Sequence, residues 1–183
     1  YKASNVNIKK AVDILNGSGV IAFPTETVYG LGGDASCESS IKKIYMIKNR
    51  PLHNPLIIHV ASLEEAKMIG KLNNTAMKMA KAFWPGPLTL LVEKKRNNGI
   101  TPAATSNLDS IAIRVPSNPI ILKILNTFGK PIAAPSANLS GTVSATNASH
   151  VFDDFGDDIE MILDGDKCAH GIESTIVDVR SEN

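Results

Sequence analysis

Four polar segments of this chain could do chemistry. Pro24 to Gly33 reads PTETVYGLGG, in which hydroxyls and a carboxylate precede glycines that let backbone approach a ligand closely. Lys48-Asn49-Arg50-Pro51, followed by Asn54-Pro55, sets two cations on a proline-fixed turn. That pattern suits phosphate oxygens. Pro135-Ser136-Ala137-Asn138-Leu139-Ser140-Gly141 offers small donors and acceptors without bulk, and Gly171-Ile172-Glu173-Ser174-Thr175 does the same near the end of the sequence. His59 and Arg114 add polar groups to otherwise apolar runs. Together these residues describe a polar, partly cationic cleft for an anionic ligand.

Each segment also has a plainer reading. Lys48 and Arg50 suit a solvated helix C-terminus, where cations meet the helix dipole favourably. His59 fits a satisfied core histidine, Arg114 a structural pair with a nearby carboxylate, and Ser136 to Gly141 a turn. Gly30 to Ala35 matches G-x-G-x-x-A, but it starts six residues past the preceding apolar run and lacks a suitable acid downstream, so a glycine turn is the expectation. No G-x-x-x-x-G-K-[ST] occurs, which excludes a P-loop.

The elements that must position these residues alternate. Helical spacing marks Ile8 to Asn16 (Asn7 as cap, Gly17 as stop), Glu38 to Lys48, Leu63 to Ile69, Thr75 to Phe83, Pro119 to Phe128 and Asn147 to Phe155. Short apolar or alternating runs mark strands at 20–23, 56–60, 88–92, 111–115, 132–134, 161–163 and 175–179. The stretch from Asn97 to Asp109 reads as loop. Alternating strands and helices give an α/β class, and some strand-to-strand links are too short for parallel crossovers, so the sheet should be mixed.

The sequence has 183 residues, enough for one sizeable core, and shows no repeat or linker, so a single domain over 1–183 is expected. A net charge of +1 predicts neither a nucleic-acid nor a membrane partner from bulk charge. No apolar run approaches the roughly 20 residues of a membrane span. Cys37 and Cys168 lack paired spacing, which argues against a disulfide framework or zinc site and for a cytoplasmic setting.

At these residues the chain resembles the YrdC-type threonylcarbamoyl-AMP synthase family. Phe23 to Gly32 resembles its opening signature, Lys48-Asn49-Arg50 its K-x-R element and Ser136-Ala137-Asn138 its S-x-N element. Phe83 to Thr89, Ile113 to Pro116 and Gly171 to Ile176 also agree, all in the family's order. The resemblance implies a twisted, open, mostly mixed α/β sheet with helices on its faces and a large concave cleft. It implies a nucleotidyltransferase that condenses L-threonine with bicarbonate and adenylates the product with ATP, the Mg2+ accompanying the nucleotide. The product would serve a downstream tRNA threonylcarbamoyl transferase.

Carried over residue by residue, the resemblance makes Lys48 and Arg50 catalytic. It assigns Thr27, His59, Arg114, Ala134 (through its backbone) and Ser174 to threonine, and Arg50, Asn54, Ser110, Ser136, Asn138 and Ser144 to ATP, with no protein metal ligand. Family members usually continue to an Arg in an R-x-G-like segment. This sequence reaches Arg180-Ser181-Glu182-Asn183 before it, so the family's C-terminal tail is expected to be missing and Arg180 receives no role. An alternative function is a non-catalytic RNA-binding module using a basic concave surface of Lys48, Arg50 and Arg114, with Lys94 and Lys95. Weak RNA binding could also accompany the enzyme.

Overall fold

The computed structural model describes residues 1–181; Glu182 and Asn183 lie outside the described residues. Helix α1 spans Asn5–Asn16, one turn earlier than its apolar pattern suggests, because the Ser4 hydroxyl, and not Asn7, accepts the N–H that caps it. Ile8, Ala11, Val12 and Leu15 form its buried stripe. Strands β1 (Ile21–Phe23) and β2 (Gly30–Asp34) follow, then α2 (Glu38–Ile47) and β3 (Ile57–His59). Next come α3 (Leu63–Ile69), β4 (Gly70–Lys71), α4 (Asn74–Phe83) and β5 (Leu88–Lys94). A 3-10 turn at Pro102–Thr105 precedes β6 (Ser110–Arg114). The chain continues through α5 (Pro119–Phe128), β7 (Ile132–Ala134), α6 (Ala148–Phe155), β8 (Met161–Ile162) and β9 (Thr175–Asp178).

The strands form one sheet in the order β4-β5-β6-β3-β7-β2-β1-β8, with β9 also pairing β5. It is mixed, as the short links require. Strand β3 runs parallel to β6 and antiparallel to β7, and β9 runs parallel to β5.

Strand alternation splits the core in two. Val20 and Ala22 face a cluster with residues of α2, α3, α4 and α6, whereas Ile21 and Phe23 face α1 and α5. Helices α1 and α5 cover the side of that second face that carries Phe23, Ile132 and Ala134. Further along the same face, register partners Ile57, Ala112 and Leu91 stay half-buried on β3, β6 and β5. This part of the sheet face is left partly open.

The glycines of Gly30 to Gly33 do not form the expected turn; they build β2, which pairs with β1 and β7. Their reason is space. A Cβ on Gly32 would stand 2.7 Å from both the Phe23 ring and the Ile132 side chain, and one on Gly30 would stand 2.9 Å from Phe23. The ring of Phe23 thus lies across β2 where side chains would otherwise project.

Candidate active site

Register sets the first part of the site. Thr89 pairs with Arg114, and Arg114 pairs with His59, so three polar side chains share one row across β5, β6 and β3. His59 is buried, and its ring meets Phe23 edge to face at 6.2 Å. Burial, with the neighbouring Arg114 charge, pushes its pKa down to about 3, so the imidazole is neutral near pH 7. Its Nδ1 has no hydrogen-bond partner.

Arg114 is 4% exposed and Glu26 8%. Arg114 Nη2 donates to Glu26 Oε1 at 2.6 Å, and the Ser117 N–H donates to Glu26 Oε2 at 3.1 Å. Arg114 Nε is buried without an acceptor. A carboxylate inside a buried run must find a positive partner, and the one basic residue of β6 supplies it.

The segment between β1 and β2 is a hydroxyl-built turn. Thr25 Oγ1 donates to the Val28 carbonyl at 2.6 Å and accepts the N–H groups of Thr27 and Val28. With its proton committed, it accepts from Thr27 Oγ1 at 2.9 Å. The carbonyls of Glu26 and Thr27 accept from His170 and Gly171, which ties this turn to the segment entering β9. Ser174 lies on that segment, its hydroxyl 2.7 Å from that of Thr89.

Thr27, His59, Arg114, Ala134, Ser136 and Ser174 therefore line one cavity of about 40 Å³, with Glu173 as the carboxylate among its lining residues. All five residues expected around threonine are brought together.

The residues expected around ATP are more dispersed. The Lys48 side chain is not solvated: it is 1% exposed, and its ammonium donates to the carbonyls of Ser136, at 2.6 Å, and Asn138. Burial and then the Arg50 charge push its pKa down to about 8, opposed by Glu173 and Asp154. Lys48 thus sits behind the Ser136 to Asn138 segment and holds it. Arg50 Nε and Nη2 donate to the carbonyls of Asn54 and Pro55, each at 3.0 Å. Ser144 donates to Glu173 Oε1 at 2.7 Å. Asn138 Nδ2 donates to the Thr142 carbonyl at 2.9 Å, while its Oδ1 is buried without a partner. Ser110 stands on the same face of β6 as Arg114, four residues away and so about 13 Å along the strand.

One expectation is corrected here. Lys48, Arg50 and Arg114 do not form a shared basic face, because two of the three are buried and committed to other groups. The RNA-binding alternative loses two of the cations that motivated it. Three residues that the sequence reading left without a role, Glu26, Thr89 and Glu173, belong to the site. The signal for Glu26 was a charge within a run of apolar and small residues. Thr89 and Glu173 stood inside motifs the sequence had already marked, Phe83 to Thr89 and Gly171 to Ile176.

A family model described as Sua5_yciO_yrdC, telomere recombination, matches residues 13–183. The threonylcarbamoyl-AMP synthase of Pyrococcus abyssi is 45% identical over 173 residues, covering 94% of this chain and 50% of that protein. The threonylcarbamoyl-AMP synthase of Bacillus subtilis is 44% identical over 171 residues, covering 93% and 49%. A crystal structure of P. abyssi Sua5 complexed with L-threonine superposes with a TM-score of 0.93 at 44% identity, over 96% of this chain and 52% of that one. The chain spans about half the length of these relatives.

Proposed function

Because the chain belongs to the Sua5/YciO/YrdC family, we propose that residues 1–183 form one domain that makes threonylcarbamoyl-AMP from L-threonine, bicarbonate and ATP, releasing pyrophosphate. The observation that carries this reading is the single cavity lined together by Arg114, His59, Thr27 and Ser174, in which Arg114 and His59 each keep one buried nitrogen without a partner. An amino acid with a carboxylate and a hydroxyl answers those groups, and a relative's crystal complex with L-threonine supports it.

In this reading Arg114 holds the amino-acid carboxylate, Thr27 and Ser174 read its side chain, and Ala134 offers only backbone. The amine nitrogen attacks the carbon of bicarbonate-derived carbon dioxide and loses a proton, giving a carbamate. A carbamate oxygen then bonds to the α-phosphorus of ATP as the bond to the β-phosphate oxygen breaks. Both partners are anionic, so catalysis is chiefly charge cancellation and positioning. Arg50 would turn from the Asn54 and Pro55 carbonyls toward phosphate. Lys48 adds positive charge behind Ser136 and Asn138, and Asn54, Ser144 and, further along β6, Ser110 complete the nucleotide side. His59 acts as a neutral hydrogen-bonding wall, because a group with a pKa near 3 is a poor base at pH 7.

Among the described residues no group of three or more His, Cys, Asp or Glu could hold a metal. Mg2+ would be held mainly through triphosphate oxygens and water, and Glu173 is a carboxylate of the cavity lining that would be available to it. When bound, the ion would stabilise the departing pyrophosphate. The enzyme class is then nucleotidyltransferase. The product's consumer is a tRNA threonylcarbamoyl transferase, and the free thiols of Cys37 and Cys168 suit the cytoplasm.

The test is pyrophosphate release from MgATP by the purified protein, with threonine and bicarbonate each omitted in turn. Release that requires both supports the proposal. Release that ignores threonine, or none at all, defeats it.

A further inference from the structure

Glu26 makes more connections than any role so far explains. Its Oε1 accepts from Arg114 at 2.6 Å and its Oε2 from the Ser117 N–H at 3.1 Å. Its own carbonyl accepts from His170, four residues before Ser174. With both carboxylate oxygens engaged, the side chain cannot swing into the cavity, and it is absent from the cavity lining. Arg114 does line the cavity.

Two considerations separate this arrangement from a simple structural pair. A buried ion pair is rarely a net stabiliser, since desolvating both charges offsets most of their attraction. In addition, a pair built only for stability would leave neither partner short of hydrogen bonds, yet Arg114 Nε is buried without an acceptor. The guanidinium is planar, so clamping Nη2 fixes the plane and aims every other N–H in it.

We propose that Glu26 is a positioning residue for the substrate's carboxylate, its bond to Nη2 holding the Arg114 guanidinium so that one edge of the fork is presented to that carboxylate in the cavity Arg114 lines. This rests on the reading of the cavity as the threonine subsite. Glu26 also cancels the net charge of Arg114, so the subsite selects by the geometry of the fork more than by bulk attraction for anions. A threonine carboxylate fits that fork; a phosphate drawn only by charge gains less.

The experiment compares wild type, Glu26→Gln and Glu26→Asp by threonine calorimetry and by steady-state pyrophosphate release. Glu26→Gln should weaken threonine, in both Kd and KM, by about 10- to 100-fold, the scale of one charge-assisted hydrogen bond. Its KM for ATP should not move, and kcat at saturating threonine should stay within about threefold, because the fork is refilled once threonine is bound. Glu26→Asp should recover part of the threonine affinity. A fall in kcat with both KM values unchanged would mean a smaller folded fraction and would overturn the proposal, as would unchanged threonine affinity. If wild type fails to bind threonine, the functional reading falls and takes this one with it; if wild type binds and Glu26→Gln binds equally well, only this proposal falls. Should Glu26→Gln fail to fold by thermal melt, Glu26→Asp decides: a loss confined to threonine supports the role, and wild-type values refute it.

Discussion

Replacing Lys48 with Met tests the buried ammonium directly. Burial and the Arg50 charge lower its pKa from 10.5 to about 8 in the folded protein. At 1.36 kcal/mol per pH unit, that shift means the charged lysine costs the fold roughly 3 kcal/mol near pH 7. The folded pKa lies below the unfolded one, so the unfolded chain binds this proton more tightly. Below about pH 8 both states are protonated and the full cost applies. As pH rises from about 8 toward 10.5, the folded state deprotonates first and stability climbs. Tyr29, pushed up to about 12 by burial, begins to lower stability above pH 10, so the useful range ends there. Cys37, held down to about 6 chiefly by its bond with the Ser18 hydroxyl, adds a rise of its own, so the difference between the two proteins is the readout. Methionine keeps the apolar stem but leaves the Ser136 and Asn138 carbonyls without their donor, at about 1–3 kcal/mol each. At pH 7 that loss and the relief of the buried charge largely offset each other. Urea unfolding at pH 7, 8, 9 and 10 should show wild type gaining about 2–3 kcal/mol more than Lys48→Met across the range. Parallel profiles for the two proteins would refute the assignment of Lys48 as a strained buried cation.

Three further outcomes follow from the geometry. Arg50→Gln should weaken ATP by about 10- to 100-fold in calorimetry and leave threonine binding unchanged, because Arg50 does not line the cavity proposed for threonine; equal losses for both ligands would count against the proposed split between subsites. The imidazole of His59 should stay neutral in an NMR titration from pH 8 down to 4, and a midpoint near 6.5 would show that the ring is solvated. Gly32→Ala drives a methyl to 2.7 Å from Phe23 and Ile132 and should cost about 1–3 kcal/mol, a melting point lower by roughly 3–10 °C; an unchanged melt would mean that the ring has room to move.

Much of the fold was legible in the sequence because its signals are local. Pro119 opens α5 behind the Asn118 cap, and Gly129 closes it at φ 70°. Sequence spacing also found every helix to within a few residues. The strand β2 was hidden because glycines carry no apolar periodicity, and their purpose lies in Phe23, on another strand. The two-residue β4 is defined by its pairing with Lys94 and Glu93 and by nothing in its own composition. The motif residues expected around threonine line one cavity, but motif order says nothing of burial. Lys48 and Arg50 read alike in sequence, and only the fold separates the lysine that holds a loop from the arginine beside the cavity. The pairing of Glu26 with Arg114 spans 88 residues, beyond any local rule.

The position of Phe23 beneath β2 ties three places in the sequence into one volume. A β-carbon at position 30 presses on the residue at 23, one at 32 presses on 23 and 132 together, and a smaller residue at 23 opens a hole beside His59. Across relatives, bulk at 23 and emptiness at 30 and 32 should therefore be exchanged jointly, so drift at those sites is confined to compensated steps. Phe23, Gly30 and Gly32 of the opening signature thus shelter an imidazole from water, apart from any contact its residues make with substrate.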